Sequence, residues 1–157
     1  MPSVVRLSEE RTLPATEERA CHIVMTTPLP EIFRHRYGAF PPVTEVRDQD
    51  GDWGRPGQTR TVVLAGGATL RETLTHVAQP YFVAYTMTDL EGWAAAPIAS
   101  IEARWLFRPV RAGVLVTWSW TVHPGSRWAA LAMPVLQLFW HGYARNALDE
   151  IESRLLP

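Results

Sequence analysis

The tail of this chain limits its fold more than any other segment. Between Ser126 and Leu155, Met133, Leu136, Trp140, Ala144, Ala147, Ile151 and Leu155 recur at spacings of three and four, which places them on one face of an α-helix. Asp149, Glu150, Glu152 and Arg154 supply a wet side near its end. Pro134 has no N–H to give to a helix interior, so a kink, or a separate short helix before Met133, is expected. The stretch from Val43 to His123 reads as strands. One long helix must therefore cover much of a bent sheet, which leaves a space between them where a ligand fits.

The strand-like runs are short and bounded by turn residues. Val4 to Leu13 is the first, with Val5, Leu7, Glu9 and Arg11 on one face, and Pro14 ends it. Thr16 is a good N-cap and Glu17 and Glu18 suit the first turn of a helix, so a short helix to about Met25 follows. A second is expected from about Glu31 to Tyr37, stopped by Pro41-Pro42. Six runs come next: Val43–Asp48, Gly57–Leu64, Thr69–Ala78, Tyr81–Thr88, Ile98–Phe107 and Val114–His123. Asp50-Gly51, Gly66-Gly67, Gln79-Pro80 and Arg111-Ala112-Gly113 punctuate them, the signature of an antiparallel meander.

A chain of 157 residues with no linker or internal repeat is expected to form a single domain, residues 1–157, around one core. Its net charge of -1 and scattered arginines argue against a nucleic-acid partner. Cys21 is the one cysteine, so no intrachain disulfide is possible, which suits the cytoplasm. Met1 to Thr12 lacks the apolar core of a signal peptide. The longest apolar stretch, Trp128 to Trp140, is broken by Pro134 and Gln137 and is too short to span a bilayer. His22, His35, His76, His123 and His141 show no metal-type spacing, and Gly66-Gly67 lacks the lysine and glycine spacing of a phosphate loop. No metal or cofactor is expected. Cys21, on the first helix, reads as a small buried hydrophobe rather than a nucleophile.

The element order, together with four segments, resembles the START-like, Bet v 1-like (SRPBCC) superfamily and its bacterial polyketide cyclase/dehydrase-type branch. The segments are Arg11-Thr12-Leu13-Pro14-Ala15-Thr16-Glu17-Glu18, Arg71-Glu72-Thr73-Leu74, Gly113-Val114-Leu115-Val116-Thr117-Trp118 and Ala147-Leu148-Asp149-Glu150-Ile151. The resemblance implies an α+β helix-grip fold, a curved antiparallel sheet of about seven strands around the C-terminal helix, in the order β-α-α-β-β-β-β-β-β-α. It implies a cavity and a small hydrophobic partner, and allows cyclase or dehydratase activity. A homodimer is possible.

Strand alternation then gives the cavity lining. On the last strand Val114, Val116, Trp118, Trp120 and Val122 share the inward face. Ile101, Ala103, Trp105 and Phe107 do so on the strand before it, and Tyr81, Val83, Tyr85 and Met87 on the one before that. Leu70, Glu72, Leu74 and His76 share the more apolar face of their strand, and Met133, Leu136, Trp140 and Tyr143 close the space from the helix. Glu72, His76 and Tyr85 are the candidate acid/base groups for a carbonyl substrate; the other reading of Glu72 and His76 is a solvated or tyrosine-bonded rim. Tyr37, Arg34 and Arg36 are expected near the cavity entrance, where an arginine could hold a ligand carboxylate. Three functions stay open at this point. They are a binder of a lipid-, isoprenoid- or polyketide-like ligand, a cyclase/dehydratase-type enzyme, and a protein-interaction module with a filled core that uses loops around Trp53 and Trp93.

Overall fold

In the computed structural model, which describes residues 3–156, the elements follow in a simple order. They are β1 (Val5–Leu13), α1 (Glu17–Thr26), α2 (Leu29–Ile32), β2 (Val43–Arg47), β3 (Thr59–Leu64), β4 (Thr69–Ala78) and β5 (Phe82–Glu91). A 3₁₀ turn (Gly92–Ala94), β6 (Ile98–Val110), β7 (Gly113–Pro124), α3 (Arg127–Ala130) and α4 (Met133–Leu155) complete them. The strands form one seven-stranded antiparallel sheet in the order β1-β7-β6-β5-β4-β3-β2. The chain crosses from one edge of the sheet to the other only once, through α1 and α2; the rest is a meander back. This is the α+β helix-grip architecture that the sequence implies.

The sheet bends because its register slips. Extra residues fall in β2 between Val43 and Glu45, in β5 between Thr88 and Glu91, in β4 between Leu74 and His76, and in β6 between Ile98 and Ser100. An extra residue on one strand kinks that strand and strengthens its twist, so the sheet curls around α4 instead of lying flat under it.

Local chemistry sets the helix ends. Thr16 Oγ1 accepts the Arg19 N–H at 3.2 Å and starts α1. Ser126 Oγ accepts the Ala129 N–H at 3.0 Å and starts α3. Pro134 falls in the first turn of α4, where no N–H is needed, so the short helix expected before Met133 is present. The second helix departs from expectation. It covers Leu29–Ile32 and stops at Phe33, whose ψ of 53° is not helical. The Phe33 carbonyl instead accepts the Val43 N–H at 2.8 Å, tying the chain to the start of β2. Arg34, Arg36 and Tyr37 therefore lie in a loop and not on a helix.

The core lies between β1, β7, β6 and the inner face of α4. Trp140, Ala144, Ala147, Leu148, Ile151 and Leu155 are buried there. Truncating one of the large aliphatic side chains to alanine would cost about 2–5 kcal/mol. Leu136, on the same helical repeat, is only partly buried, because the sheet has begun to diverge from the helix at that end.

Candidate functional site: an apolar cavity with a buried ion pair

Three rows of side chains cross the inner face of the sheet. Val122, Ile101, Met87, Glu72 and Arg60 are successive register partners from β7 to β3. Trp120, Ala103, Tyr85 and Leu74 form the second row, and Trp118, Trp105, Val83 and Val77 the third. Between these rows and the N-terminal half of α4 is a space of about 290 Å³.

Eleven of the residues that strand alternation and helical spacing turn inward lie along it: Leu70, Glu72, Val83, Tyr85, Met87, Ile101, Trp105, Trp118, Trp120, Leu136 and Tyr143. Leu74, Phe107, Met133 and Trp140 are not in the lining and sit in the solid core. Trp140 packs 5.4 Å from Trp118 and 5.7 Å from Trp120, behind the wall that they form. Tyr37 is also outside the lining. Its ring lies over α4 at Gly142, where a Cβ would come within 2.1 Å of it.

His76 is displaced by the extra residue of β4. Leu74 opposes Tyr85 but His76 opposes Ala84, so one residue of β4 has no partner between them. Strict alternation from Leu74 would bring His76 inward; the extra residue turns it out, exposed, with Phe82 6.3 Å away. Tyr81, which precedes β5, is exposed as well. Arg34 pairs with Glu150 at 2.9 Å, outside the cavity, and Arg36 is exposed. Trp53 is tucked in and lines the cavity, whereas Trp93 is half-exposed at its rim.

The polar part of the wall centres on Glu72. Arg60 faces it directly across β3 and β4; its Nε donates to Glu72 Oε1 at 2.8 Å, and its Nη2 lies 2.8 Å from the same oxygen as an ion pair. The two side chains are only 11% and 8% exposed. Trp53 lies under the guanidinium, 3.9 Å from its centre, a cation–π contact that holds the arginine flat. The Gln49 side-chain carbonyl accepts from Arg60 Nη1 at 3.4 Å. Among the described residues Glu72 Oε2 accepts no hydrogen bond.

Tyr85 adds a second polar point. Its hydroxyl oxygen accepts the Trp118 indole N–H at 2.9 Å, and its own proton has no acceptor among the described residues. Burial, and then the Glu72 carboxylate, push the phenol above its ordinary value, so it stays a neutral donor. The Tyr143 hydroxyl is spoken for, donating to the Pro41 carbonyl at 3.2 Å. The remaining wall is apolar and aromatic, with Trp105 stacked on Trp118 at 5.1 Å and 11° as expected for register partners.

Arg60 was absent from the sequence reading, and the signal for it was present. Arg60, Val62 and Leu64 alternate along one strand, and two apolar residues on that face mark it as inward. Phe33, Phe40 and Trp53 had no such signal, since they reach the cavity from loops.

The arrangement can hold an apolar molecule beside a phenol donor, Tyr85, and a carboxylate acceptor, Glu72. Among the described residues no group of His, Cys, Asp and Glu could hold a metal ion, and no helix is long and apolar enough to cross a membrane.

Solved structures with the same architecture include a ginseng major latex-like protein from Panax ginseng. It is 14% identical, with a TM-score of 0.72 over 98% of this chain and 99% of that one. TTHA0849 from Thermus thermophilus is 15% identical, with a TM-score of 0.71 over 96% and 97%. MLL2253 from Mesorhizobium loti is 12% identical, with a TM-score of 0.67 over 95% of each chain. At these identities the likeness is one of fold. No curated protein matches the sequence. Residues 4–155 match the family described as polyketide cyclase / dehydrase and lipid transport, and the chain belongs to that family.

Proposed function

We propose that this protein binds a small hydrophobic molecule carrying a hydroxyl or keto oxygen, held in the cavity between the sheet and α4. The observation that carries this reading is the Arg60–Glu72 pair set into an otherwise apolar wall. A buried ion pair is a poor way to stabilise a core, since well-packed apolar residues often do as well or better. Its use here is orientation. Arg60 fixes Glu72 with Oε1 turned to β3, which leaves Oε2 to accept a ligand hydroxyl proton while the Tyr85 O–H donates to the same oxygen or to a ketone.

Size narrows the ligand. A space of about 290 Å³ suits a compact isoprenoid, an aromatic polyketide fragment or a single acyl chain. The open space also argues against an interaction module with a filled core.

Fluorescence titration tests the proposal, because Trp105, Trp118 and Trp120 all line the cavity. Terpene alcohols, the matching hydrocarbons and fatty acids would be titrated into the native protein, Glu72→Gln and Tyr85→Phe. Saturable quenching is expected, with alcohols and ketones binding about ten-fold more tightly than the hydrocarbons, one good hydrogen bond's worth. The preference for ketones should disappear in Tyr85→Phe, and that for alcohols should fall in both variants. Equal affinity for alcohol and hydrocarbon would reject the polar anchor.

A second reading, catalysis, is favoured by one feature: a carboxylate and a neutral phenol line the same water-poor space. Glu72 would take a proton next to a ketone, and Tyr85 would donate to the oxygen that becomes negative. Turnover of a poly-ketone that Glu72→Gln abolishes, with binding retained, would select this reading.

A further inference from the structure

The helical segment that closes the cavity carries a second feature that the binding reading does not use. Trp128, Leu131, Val135 and Leu138 are 82%, 73%, 55% and 70% exposed. Trp128 lies on α3 and Leu131 in the turn that follows it, while Val135 and Leu138, three residues apart, share one face of α4. The apolar run that is too short to cross a bilayer thus exposes large side chains from α3 through the first turns of α4.

This surface adjoins the cavity mouth. Ala132 and Val135 are exposed and also line the cavity. So do Ala39 and Trp93. An exposed apolar stripe that runs into the rim of an apolar cavity is a surface with a partner.

Charge indicates which partner. From Ala103 to Leu148 the sequence has no aspartate or glutamate. Arg127 stands next to Trp128, and Arg36 stands next to Tyr37, whose ring rests on α4; both arginines are exposed. His141 and Arg145, further along α4, pair with Glu9. The charges next to Trp128 and Tyr37 in the sequence, Arg127 and Arg36, are thus exposed arginines. A second copy of this chain meeting the same stripe about a twofold axis would bring Arg127 towards its own equivalent. An anionic surface has no such conflict, and exposed indoles settle at the boundary between headgroups and acyl chains.

We infer that the Trp128–Leu138 stripe docks the protein on an anionic lipid surface, mouth down, so that a ligand passes between bilayer and cavity without crossing water. The docking is peripheral: the stripe spans about ten residues, enough to lie in the interface and too few to cross it.

The test uses vesicles of phosphatidylcholine with about one-third phosphatidylglycerol, and pure phosphatidylcholine vesicles for comparison. Co-sedimentation and the tryptophan emission maximum would be read for the native protein, Trp128→Ser, and the double variant Leu131→Asp/Leu138→Asp. The replaced side chains are solvent-exposed, so all three should show the same thermal unfolding. The native protein is expected to bind the anionic vesicles with a blue shift that Trp128→Ser diminishes. The double variant should bind at least about ten-fold more weakly, and Arg127→Gln about five-fold more weakly. No affinity for anionic vesicles overturns the inference. So does equal affinity of the double variant, or of pure phosphatidylcholine. Self-association that the double variant abolishes, without vesicle binding, also overturns it and assigns the stripe to a second copy. Vesicle affinity is measured with no cavity ligand present, so its failure would leave the binding proposal standing.

Discussion

Removing one member of the Arg60–Glu72 pair should harm the fold more than removing both. The guanidinium donates from Nε to Glu72 Oε1 at 2.8 Å with Nη2 equally close, and the side chains are 11% and 8% exposed. Taking away one partner strands the other charge in an apolar wall, which costs about 3–5 kcal/mol. The cavity admits some water, so we take the lower end, ~3 kcal/mol, for Glu72→Met or Arg60→Met alone. For a domain of this length that is roughly a 6–12 °C fall in melting temperature. In Arg60→Met/Glu72→Met no charge is stranded and both side chains match the wall. The remaining loss is the cation–π contact with Trp53, about 1 kcal/mol. The single losses would sum to ~6 kcal/mol against ~1 observed, a coupling of about 5 kcal/mol that a double-mutant cycle would resolve easily. Urea unfolding of the four proteins is the assay. Single losses under about 1 kcal/mol that simply add would mean that the pair is solvated, and that Glu72 is not held for a ligand.

Three further outcomes follow from particular contacts. Gly142→Ala gains about 1 kcal/mol of helix propensity, but its Cβ would meet the Tyr37 ring at 2.1 Å. The substitution should therefore stabilise the Tyr37→Ala variant by that amount and not the native protein; equal gains in both would mean that Tyr37 does not rest on α4. Burial pushes the Cys21 thiol up to about 11, so a disulfide reagent at neutral pH should modify it only after unfolding, and rapid native labelling would contradict its buried place. The Arg154 hydrogen bond, aided by Arg34 and His35 against the cost of burial, holds the Glu150 carboxyl below its ordinary value. A depressed carboxyl contributes stability above its unfolded value of about 4.3, and loses it as pH falls through the folded value. Glu150→Gln should then destabilise the protein at neutral pH and cost much less in acid, as melting temperatures at the two pH values would show; an equal loss at both would reject the pairing.

The sequence carried the architecture because two periodicities do not overlap. The three- and four-residue spacing of Met133 through Leu155 has no strand reading, and the runs from Val43 to His123 are too short and too punctuated to be helices. Local capping chemistry was equally plain at Thr16. Alternation also turned Glu72, Tyr85, Trp105 and Trp118 inward, and they lie along the space between sheet and helix. It failed at His76, because one unpaired residue reverses every side chain beyond it and leaves no mark in the sequence. It could not separate cavity wall from solid core, so Trp140 and Phe107 were assigned to the wall although both are packed behind it. Which inward residue faces empty space depends on where helix and sheet diverge, a property of the whole fold. The ion pair could have been read by alternating β3 as well as β4, since Arg60 and Glu72 are cross-strand partners. Phe33, Phe40 and Trp53 could not, as loop side chains follow no period.

Native mass spectrometry of the purified protein, before and after organic extraction, tests the central claim most directly. The account predicts a one-to-one adduct of a compact apolar molecule bearing an oxygen, removed by extraction and restored by adding a terpene alcohol or single-chain alcohol back. Filling the cavity from its edge, with Leu64→Phe and Leu90→Phe together, should abolish the adduct while the protein stays folded. A protein that carries no adduct, takes up none of the added alcohols and behaves the same in the filled variant would contradict the account.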